Sequence, residues 1–403
     1  MLREATKQRK KLATILAFSS IPLSGFVTDI YLPSFPSMAT DLAITEKEVQ
    51  LTLTCYLLSY GISQLFVGSI LDSIGRYKPR LVALLFIALS SLLIAFTNDI
   101  LFICLLRIVQ GIAISVLVVA TRAIFMDIYE EQQRIHYLSY FTVVWSCGPI
   151  LAPFLGGYLD ALFSWHANFY FLALYAVLLF ALDLIISGES IAQKKKFNFS
   201  ETLQIYKMML SNTTFITGIF ILGMSYSIVM VFNISGPFLI ENTFKQNSIV
   251  IGYCTLILGF SWMLGGILGK KRMHVPFKQR VTRPIYAQLA LVLLLLLVSY
   301  YLENLVVLII GLFFIHICSG TLFNNFFTST MLSFPNNSGT AGGLMGGLTY
   351  VITSFTSFII STSGTINTQF QLSMRYMVLI VCLLLLIFYI VHLNKKTQPQ
   401  GKK

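Results

Sequence analysis

The sequence predicts an all-α membrane protein with about twelve transmembrane helices, and two observations carry this prediction. First, 56% of its 403 residues are hydrophobic and only 11% are charged, whereas soluble domains carry about 25% charged residues. Second, the chain contains about twelve apolar runs, most of them long enough for the roughly 20 helical residues that cross a bilayer. The runs are continuous and do not alternate with polar residues, which indicates helices and not the strands of a membrane barrel.

The predicted spans follow from where polar residues interrupt the apolar runs. Only Glu303 and Asn304 separate the ninth run from the tenth. The first run is longer than the apolar core of a signal peptide and lacks a small-residue cleavage site, so no cleavable leader is expected. The predicted spans are residues 12–35, 48–71, 81–98, 100–126, 137–159, 168–188, 212–236, 248–269, 284–302, 304–328, 341–363 and 374–393.

The net charge of +12 arises from basic clusters that recur in alternate loops. The loops between them are poor in lysine and arginine, which is the positive-inside pattern of membrane proteins. This pattern predicts a multi-pass protein with both termini and the long middle loop in the cytoplasm. Because the basic excess is a topology signal, no nucleic-acid partner is expected. The clusters lie at residues 3–11, 76–80, 194–196, 270–283 and 395–403.

The cysteines and histidines indicate neither a metal site nor a cofactor. All six cysteines lie inside apolar runs without C-x-x-C spacing, which favours small apolar packing residues over disulfides or metal ligands. Among the histidines, His316 lies deep in a run, where it is either a proton carrier or a hydrogen-bonded interior residue; the second alternative is favoured. The cysteines are Cys55, Cys104, Cys147, Cys254, Cys318 and Cys382.

A polar stretch in the middle of the chain, SGESIAQKKKFNFSETLQIYK, separates two halves of about six spans each. The halves share a short repeat at equivalent places: GSILDSIGRYKPR starts at Gly68, and GGILGKKRMHVPFKQR starts at Gly265. This repeat predicts two pseudo-symmetric bundles of six helices. The predicted division is a bundle over 1–190, a cytoplasmic linker over 191–210 and a second bundle over 211–403.

Asp29 and Arg107 are charged residues within apolar runs, where a charge costs several kcal/mol. Each lies about seven residues from the outer end of its span, or roughly 10 Å below the outer face at 1.5 Å per residue. They therefore form a candidate pair. Either it is proton-responsive, since an aspartate titrates beside a permanently charged arginine, or it is a fixed structural ion pair. The proton-responsive alternative is favoured because intramembrane ionisable residues usually mark transport or proton pathways.

A second group of charges lies at the predicted cytoplasmic end of the first half. Lys78 fits a solvated, basic loop, but Asp72 breaks the sign of that loop directly at the end of a span. The group is Asp72, Arg76, Lys78, Arg80, Arg122 and Asp127.

The fifth run contains WSCGPILAPFLGGYL, residues 145–159. Two prolines and three glycines weaken the hydrogen-bond ladder of a helix and flatten one face. Close helix packing with a bend is one interpretation, and a hinge or seal is another; the two are compatible.

Together these motifs resemble the major facilitator superfamily and, within it, the twelve-helix proton-coupled drug antiporters. GSILDSIGRYKPR is similar to the loop signature of that superfamily, RIVQG to its fourth-helix signature, and GPILAPFLGG to the fifth-helix antiporter signature. TDIYLP together with TRAIFMDIY is similar to the Bcr/CflA group of bacterial inner-membrane exporters. The chain departs from the loop signature at Ser73 and Tyr77, where the family has basic residues, which predicts a weaker charge relay.

The resemblance implies the major facilitator fold and proton-driven export of small molecules by alternating access, in the bacterial inner membrane and as a monomer. It implies proton coupling at Asp29 and Arg107. The expected gating residues are Gly68, Asp72, Arg76, Arg80, Arg122 and Asp127. The fourth-helix motif keeps Gln110 and Gly111, and the fifth-helix motif is Gly148, Pro149, Pro153, Gly156 and Gly157.

The substrate stays open at the level of sequence. A drug or toxic compound is the leading expectation, and one physiological metabolite, such as a siderophore or an osmolyte, is the alternative. The absence of basic residues from the predicted second-half wall favours cationic or lipophilic compounds. A membrane enzyme is disfavoured, because no catalytic motif is present. A non-transporting sensor is disfavoured as well, because it would need no proton site. The candidate substrate-binding residues are Tyr56, Tyr60, Trp145, Tyr226, Asn233, Asn324 and Asn325.

Overall fold

The computed structural model describes the backbone of residues 2–191, 193–194, 198–334 and 338–397. Within these ranges it is α-helical throughout apart from short turns and 3-10 segments, and it contains no strand. Side chains are described in the same ranges, except at residues 3, 131, 132, 134–136, 138, 139, 141–143, 145, 146, 199, 338, 339 and 394–397.

Fourteen α-helices follow one another in the described part of the chain. Twelve of them are long, whereas α2 and α8 are short. The helices are α1 (Lys7–Asp29), α2 (Phe35–Asp41), α3 (Glu46–Ile74), α4 (Tyr77–Phe96), α5 (Ile100–Ile128), α6 (Glu131–Leu162), α7 (His166–Ile186), α8 (Phe199–Leu210), α9 (Thr213–Asn242), α10 (Ser248–Lys271), α11 (Phe277–Tyr301), α12 (Leu305–Met331), α13 (Ser338–Thr362) and α14 (Gln369–Thr397).

Eleven segments of the described residues are long and apolar enough to cross a membrane. The fifth predicted span lies in α6, where Cys147–Leu162 forms a shorter apolar stretch. The predicted all-α membrane fold is therefore confirmed.

Short polar stretches between the apolar runs are helix caps. The Asp99 carboxylate accepts the backbone N–H of Leu101 at 2.8 Å and so begins α5. In the same way, the Asn304 side chain accepts the N–H of Val306 at 2.9 Å and begins α12. A side-chain acceptor at this position satisfies an N–H group that the helix itself leaves unpaired. Even two or three polar residues are therefore enough to end one span and begin the next.

The first span is interrupted near its end. Helix α1 ends at Asp29, a 3-10 turn follows at Leu32–Ser34, and α2 begins at Phe35. Pro33 and Pro36 are the second residues of these two segments, where a proline is tolerated because the first N–H groups of a helix have no partner within it. The first predicted span, residues 12–35, is therefore not one continuous helix, and Asp29 lies at the break.

The helices form two compact units, each described by itself. The first unit is Met1–Thr202 with Asn247–Leu256, and the second is Leu203–Gln246 with Ile257–Lys403. In the first unit α3 packs on α5, α4 on α5 and α7, and α1 on α6. In the second unit α9 packs on α12, α13 and α14. The sequence-based division near residues 190 and 210 stays a prediction.

Glycines in α6 bring its backbone against α1. A Cβ atom on Gly156 would lie 1.6 Å from the carbonyl oxygen of Ile30, and one on Gly148 would lie 2.8 Å from that of Pro22. Pro149 lies against Gly25 of α1 in the same contact. Because backbone atoms cannot move aside as a flexible side chain can, these positions require glycine at this distance. The predicted close packing of this helix is therefore what the structure shows, and it holds α1 on both sides of Asp29.

We predict that Gly156→Ala destabilises the protein, because its methyl group would collide with the Ile30 carbonyl. Overpacking of this kind costs about 1–3 kcal/mol. The measurement is the thermal unfolding midpoint of the detergent-purified protein. The control is Gly266→Ala in α10, where a Cβ atom meets nothing within 4 Å. Equal midpoints for the two variants would contradict the packing of α1 on α6.

Candidate functional site

Arg107 lies fully buried in α5 and bonds to α1 and to its own helix. Its Nη1 donates to the carbonyl oxygen of Val27 at 2.9 Å and to Oε1 of Gln110 at 2.7 Å. The Gln110 Nε2 group then donates to the Ser91 hydroxyl of α4 at 2.9 Å. The spacing of three residues places Arg107 and Gln110 on one helix face. This chain of bonds links α1, α5 and α4 through one guanidinium group.

Two tyrosine rings lie against the Arg107 guanidinium. Its central carbon is 4.5 Å from the ring centroid of Tyr31 and 4.4 Å from that of Tyr56. Such cation–π contacts are worth about 2 kcal/mol or more when desolvated. The Tyr31 hydroxyl lies 3.0 Å from the Thr52 hydroxyl, and the Tyr56 hydroxyl accepts a bond from Thr28 at 3.0 Å. The rings therefore stabilise the buried charge while their own polar ends remain hydrogen-bonded.

Gly111 allows α3 to approach this site. A Cβ atom here would lie 2.6 Å from the carbonyl oxygen of Tyr56 and 2.9 Å from the amide nitrogen of Tyr60. Any larger residue would push α3 away and carry the Tyr56 ring off Arg107. The three residues of the fourth-helix motif thus have separate roles. Arg107 carries the charge, Gln110 accepts a hydrogen bond from it, and Gly111 allows α3 to pack closely over both.

Asp29 lies beside this cluster, at the buried end of α1. Its side chain is 2% exposed, and its Oδ1 atom has no hydrogen-bond partner. Asp29 interacts electrostatically with Arg107, yet the two form no ion pair within 4 Å, and Nε and Nη2 of Arg107 also lack partners. Arg107 instead bonds to the Val27 carbonyl, two residues earlier in α1. The fixed ion pair, one of the two sequence-based alternatives, is therefore not formed in this structure.

A different charge network lies where α3 meets α4. The Arg76 guanidinium contacts Asp127 of α5 at 2.5 Å through Nε and Asp72 of α3 at 3.0 Å through Nη2. Asp127 also accepts a bond from the Ser190 hydroxyl at 2.8 Å. Three of the predicted gating residues are therefore brought together, on three segments of the first unit.

Glu189 completes this network, and sequence reasoning missed it. Its carboxylate accepts the backbone N–H of Arg76 at 3.1 Å and that of Tyr77 at 3.4 Å, at the start of α4. Gly75, which precedes them, has a φ of +105°, a conformation that favours glycine. The available signal was an acidic residue at the start of an otherwise basic linker, SGESIAQKKK.

Arg80 does not lie in a solvated loop, which corrects the grouping made from sequence. It is 1% exposed, and its Nε lies 2.8 Å from Oδ2 of the fully buried Asp183 of α7. The Ser187 hydroxyl donates to the same carboxylate at 2.6 Å. The helix begins at Tyr77, so Arg80 is carried one turn into α4, between the packed helices. Asp183 was missed as well, although a single aspartate inside the run FALDLII was a visible signal.

The other two predicted gating residues are Gly68 and Arg122. Arg122 is exposed near the end of α5, and a Cβ atom on Gly68 would meet nothing within 4 Å. In the fifth-helix motif, Gly157 and Pro153 lie against the beginning of α10: a Cβ atom on Gly157 would be 2.4 Å from the Ser248 carbonyl oxygen.

The candidate substrate-binding residues are divided between the two units. In the first, Tyr56 and Tyr60 are buried, with ring centroids 6.0 Å apart, and Tyr56 contacts Arg107. The side chain of Trp145 lies outside the described residues. In the second, Tyr226 is half-buried among aromatic rings, 5.7 Å from Tyr350 and 6.1 Å from Trp262.

The three candidate asparagines all lie in the second unit. Asn324 is half-buried, whereas Asn233 is 9% exposed and lies 3.9 Å from the Met230 sulfur. Asn325 is fully buried, and neither of its side-chain polar atoms has a hydrogen-bond partner. His316, also fully buried, has a partner in Tyr376, with 3.0 Å between Nε2 and the hydroxyl. That bond supports the interior hydrogen-bonded alternative for His316.

The model of the Major Facilitator Superfamily (MFS) matches residues 17–357. The chain therefore belongs to the Major Facilitator Superfamily, a family of membrane transporters and not of enzymes.

Relatives within this family cover the chain to different extents. The uncharacterized MFS-type transporter YdgK of Bacillus subtilis is 29% identical over 91% of this chain and 92% of its own length. A bicyclomycin resistance protein homolog of Haemophilus influenzae is 36% identical, over 42% of each chain. Multidrug resistance protein D of Escherichia coli is 32% identical, over 41% of this chain and 42% of its own.

Solved structures share the fold at low sequence identity. A bacterial homolog of the human lysosomal transporter Spinster, in an inward-facing and occupied conformation, has a TM-score of 0.78 at 11% identity and covers 99% of this chain and all of its own. A D-xylose-proton symporter has a TM-score of 0.72 at 13% identity, over 92% of this chain and 96% of its own.

We predict that Asp183→Asn strongly destabilises the protein, because it leaves the buried Arg80 charge without a counter-ion. Breaking a buried pair on one side costs about 3–5 kcal/mol, whereas apolar replacement of both partners is often neutral. The measurement is again the thermal unfolding midpoint in detergent. The double variant Arg80→Met/Asp183→Leu should recover most of the loss.

The matched control for this prediction is Asp72→Asn, since the Asp72 side chain is 43% exposed and an exposed pair is worth about 0–1 kcal/mol. A drop for Asp72→Asn as large as that for Asp183→Asn would refute the assignment of Asp183 as the buried counter-ion.

Proposed function

We propose that this protein exports small molecules in exchange for protons, by alternating access, with Asp29 as the proton carrier. The observation that carries the proposal is the arrangement of Asp29 and Arg107. Both are buried and electrostatically coupled, and both keep polar atoms without partners, but they are not joined. A pair that served only to stabilise the fold would form hydrogen bonds through those atoms. An unjoined pair leaves the carboxyl group free to bind and release a proton.

The two protonation states of Asp29 demand different surroundings. A neutral carboxyl group needs no counter-ion, so it can remain beside Arg107 without pairing. An ionised carboxylate is attracted to the free Nε and Nη2 groups of Arg107, since charge-assisted hydrogen bonds are the strong ones. Loss of the proton therefore draws the end of α1 towards α5, and its return releases that end.

Movement at the end of α1 is transmitted to α6. Because Gly148 and Gly156 leave no gap between the two backbones, α6 must follow a displacement of Ile30 and its neighbours. The break after Asp29, with its 3-10 turn, supplies a place where α1 can bend. In this scheme the fifth-helix motif couples the proton step to the change of access, and Arg76 with Asp72 and Asp127 closes the cytoplasmic end.

The relatives that carry drug-resistance names support small toxic compounds as the substrate class. The half-buried aromatic side chains around Tyr226 suit flat, lipophilic or cationic molecules, because ring faces attract cations. We further propose that the protein works as a monomer in the bacterial inner membrane, with both termini in the cytoplasm as the basic clusters predict. We propose that the other candidate substrate-binding residues named from the sequence also contact the substrate.

We predict that Asp29→Asn abolishes proton-driven transport, because asparagine cannot carry the proton. Purified protein in liposomes is given a pH gradient and a panel of cationic dyes, antibiotics and iron chelators, and substrate-dependent proton movement is recorded. The matched control is Asp99→Asn, the same chemical change at an exposed helix cap that asparagine also fills. The control should transport like the wild type.

Three other outcomes distinguish the alternatives. Equal gradient-driven transport by the wild type and Asp29→Asn would remove Asp29 as the carrier. Transport that is independent of the pH gradient would contradict antiport. Transport of none of the panel by a folded wild-type protein would favour a dedicated transporter of one metabolite.

A further inference from the structure

Glu189 and Ser190, in the segment that follows α7, hold both partners of the Arg76–Asp127 ion pair. The Glu189 carboxylate accepts the backbone N–H groups of Arg76 at 3.1 Å and of Tyr77 at 3.4 Å, at the start of α4. The Ser190 hydroxyl donates to the Asp127 carboxylate of α5 at 2.8 Å. The first N–H groups of a helix have no partner within it, so they depend on an acceptor from outside. The geometry of the ion pair therefore depends on where this segment lies.

A glycine separates this segment from the end of α7. The helix ends at Ile186, and Gly188 directly precedes Glu189. Glycine restricts the backbone least of all residues. A Cβ atom on Gly188 would meet only the backbone nitrogen of Leu2, at 4.0 Å. The position of Glu189 must therefore be fixed by contacts from elsewhere in the chain.

Arg9, in the first turns of α1, supplies the contact before the glycine. Its Nε donates to the carbonyl oxygen of Ile186 at 2.9 Å, and its Nη2 donates to that of Ser187 at 3.0 Å. The last carbonyl groups of a helix have no partner within it. A cation at this end is also attracted by the helix dipole. Arg9 therefore ties the end of α7 to the beginning of α1.

Leu2 supplies the contact after the glycine. Its backbone N–H donates to the carbonyl oxygen of Glu189 at 2.8 Å. Its side chain is 2% exposed and packs with Ala13 of α1 and with Ile124 and Ile128 of α5. The segment after α7 is therefore held at two points, one on each side of the glycine, by residues 2–9 of the chain.

We infer that Arg9 is a positioning residue for the Arg76–Asp127 ion pair. It fixes the end of α7, the end of α7 fixes Glu189, and Glu189 fixes the start of α4, where Arg76 lies. Resting on the proposed function, this inference makes Arg9 a part of the closure of the cytoplasmic end. The positioning itself does not depend on that function.

The test measures hydrogen–deuterium exchange of the full-length protein in detergent, by mass spectrometry of the peptide that holds the Arg76 and Tyr77 amides. Arg9→Gln should speed their exchange at least about threefold, because local opening sets the exchange rate and the lost helix-end cation makes opening easier. Arg9→Lys keeps the cation and should exchange more slowly than Arg9→Gln. The matched control is Lys11→Gln, the same loss of charge at an exposed position of α1, which should exchange like the wild type.

Glu189→Ala tests whether Arg9 acts through Glu189. This variant removes the acceptor of both N–H groups, so their exchange should rise, and Arg9→Gln should add little to that rise in the double variant. Unchanged exchange in Arg9→Gln, equal effects of Arg9→Gln and Lys11→Gln, or full additivity in the double variant would overturn the positioning role. An equal rise in peptides of α12, in the second unit, would show general destabilisation and would overturn it too.

Transport in liposomes under a pH gradient tests the consequence separately. Arg9→Gln should lower kcat and leave KM unchanged, because Arg9 acts on a conformational step. Wild-type kcat together with faster amide exchange would overturn the part of Arg9 in closure. Absence of transport by the wild-type protein would instead count against the proposed function and leave the exchange result standing.

Discussion

The burial of Arg107 is the constraint on which the first unit depends. A charge in an apolar bundle costs several kcal/mol unless its surroundings compensate, and here each neighbour contributes. The Val27 carbonyl and the Gln110 amide accept its hydrogen bonds, and two tyrosine rings cover its faces. These partners come from α1, the turn that follows it, α3 and α5, so the positions of these segments are tied to one side chain. The free Asp29 carboxyl beside it is the part of the cluster that remains able to change.

The two units differ in the kinds of polar side chain that they bury. The first unit holds the ion pairs that Arg76 and Arg80 form with their carboxylates. The second unit contributes aromatic rings, buried asparagines and the His316–Tyr376 bond. Under the proposed function, the first unit would supply the proton step, and the aromatic and amide side chains of the second unit would contact the substrate.

Much of the fold and part of the candidate site could be predicted from the sequence. The spacing of Arg107, Gln110 and Gly111 places charge, partner and close contact on adjoining helix faces, so the motif could be interpreted before the fold was known. The end of α1 at Asp29 could not, because hydropathy alone continues the first span past the proline break. Arg80 was expected in the basic loop but lies in the first turn of α4. The sequence does not distinguish an arginine in a loop from one in the first turn of the helix that follows.

The measurement that tests the central claim most directly is proton release on substrate binding, recorded with a pH indicator in weakly buffered detergent solution, without a membrane or a gradient. If Asp29 is the carrier, adding a transported substrate releases a proton from the wild-type protein, and Asp29→Asn binds the same substrate without releasing one. Substrate-dependent release that is unchanged in Asp29→Asn would place the titrating group elsewhere, and the account of the Asp29–Arg107 cluster given above would be wrong.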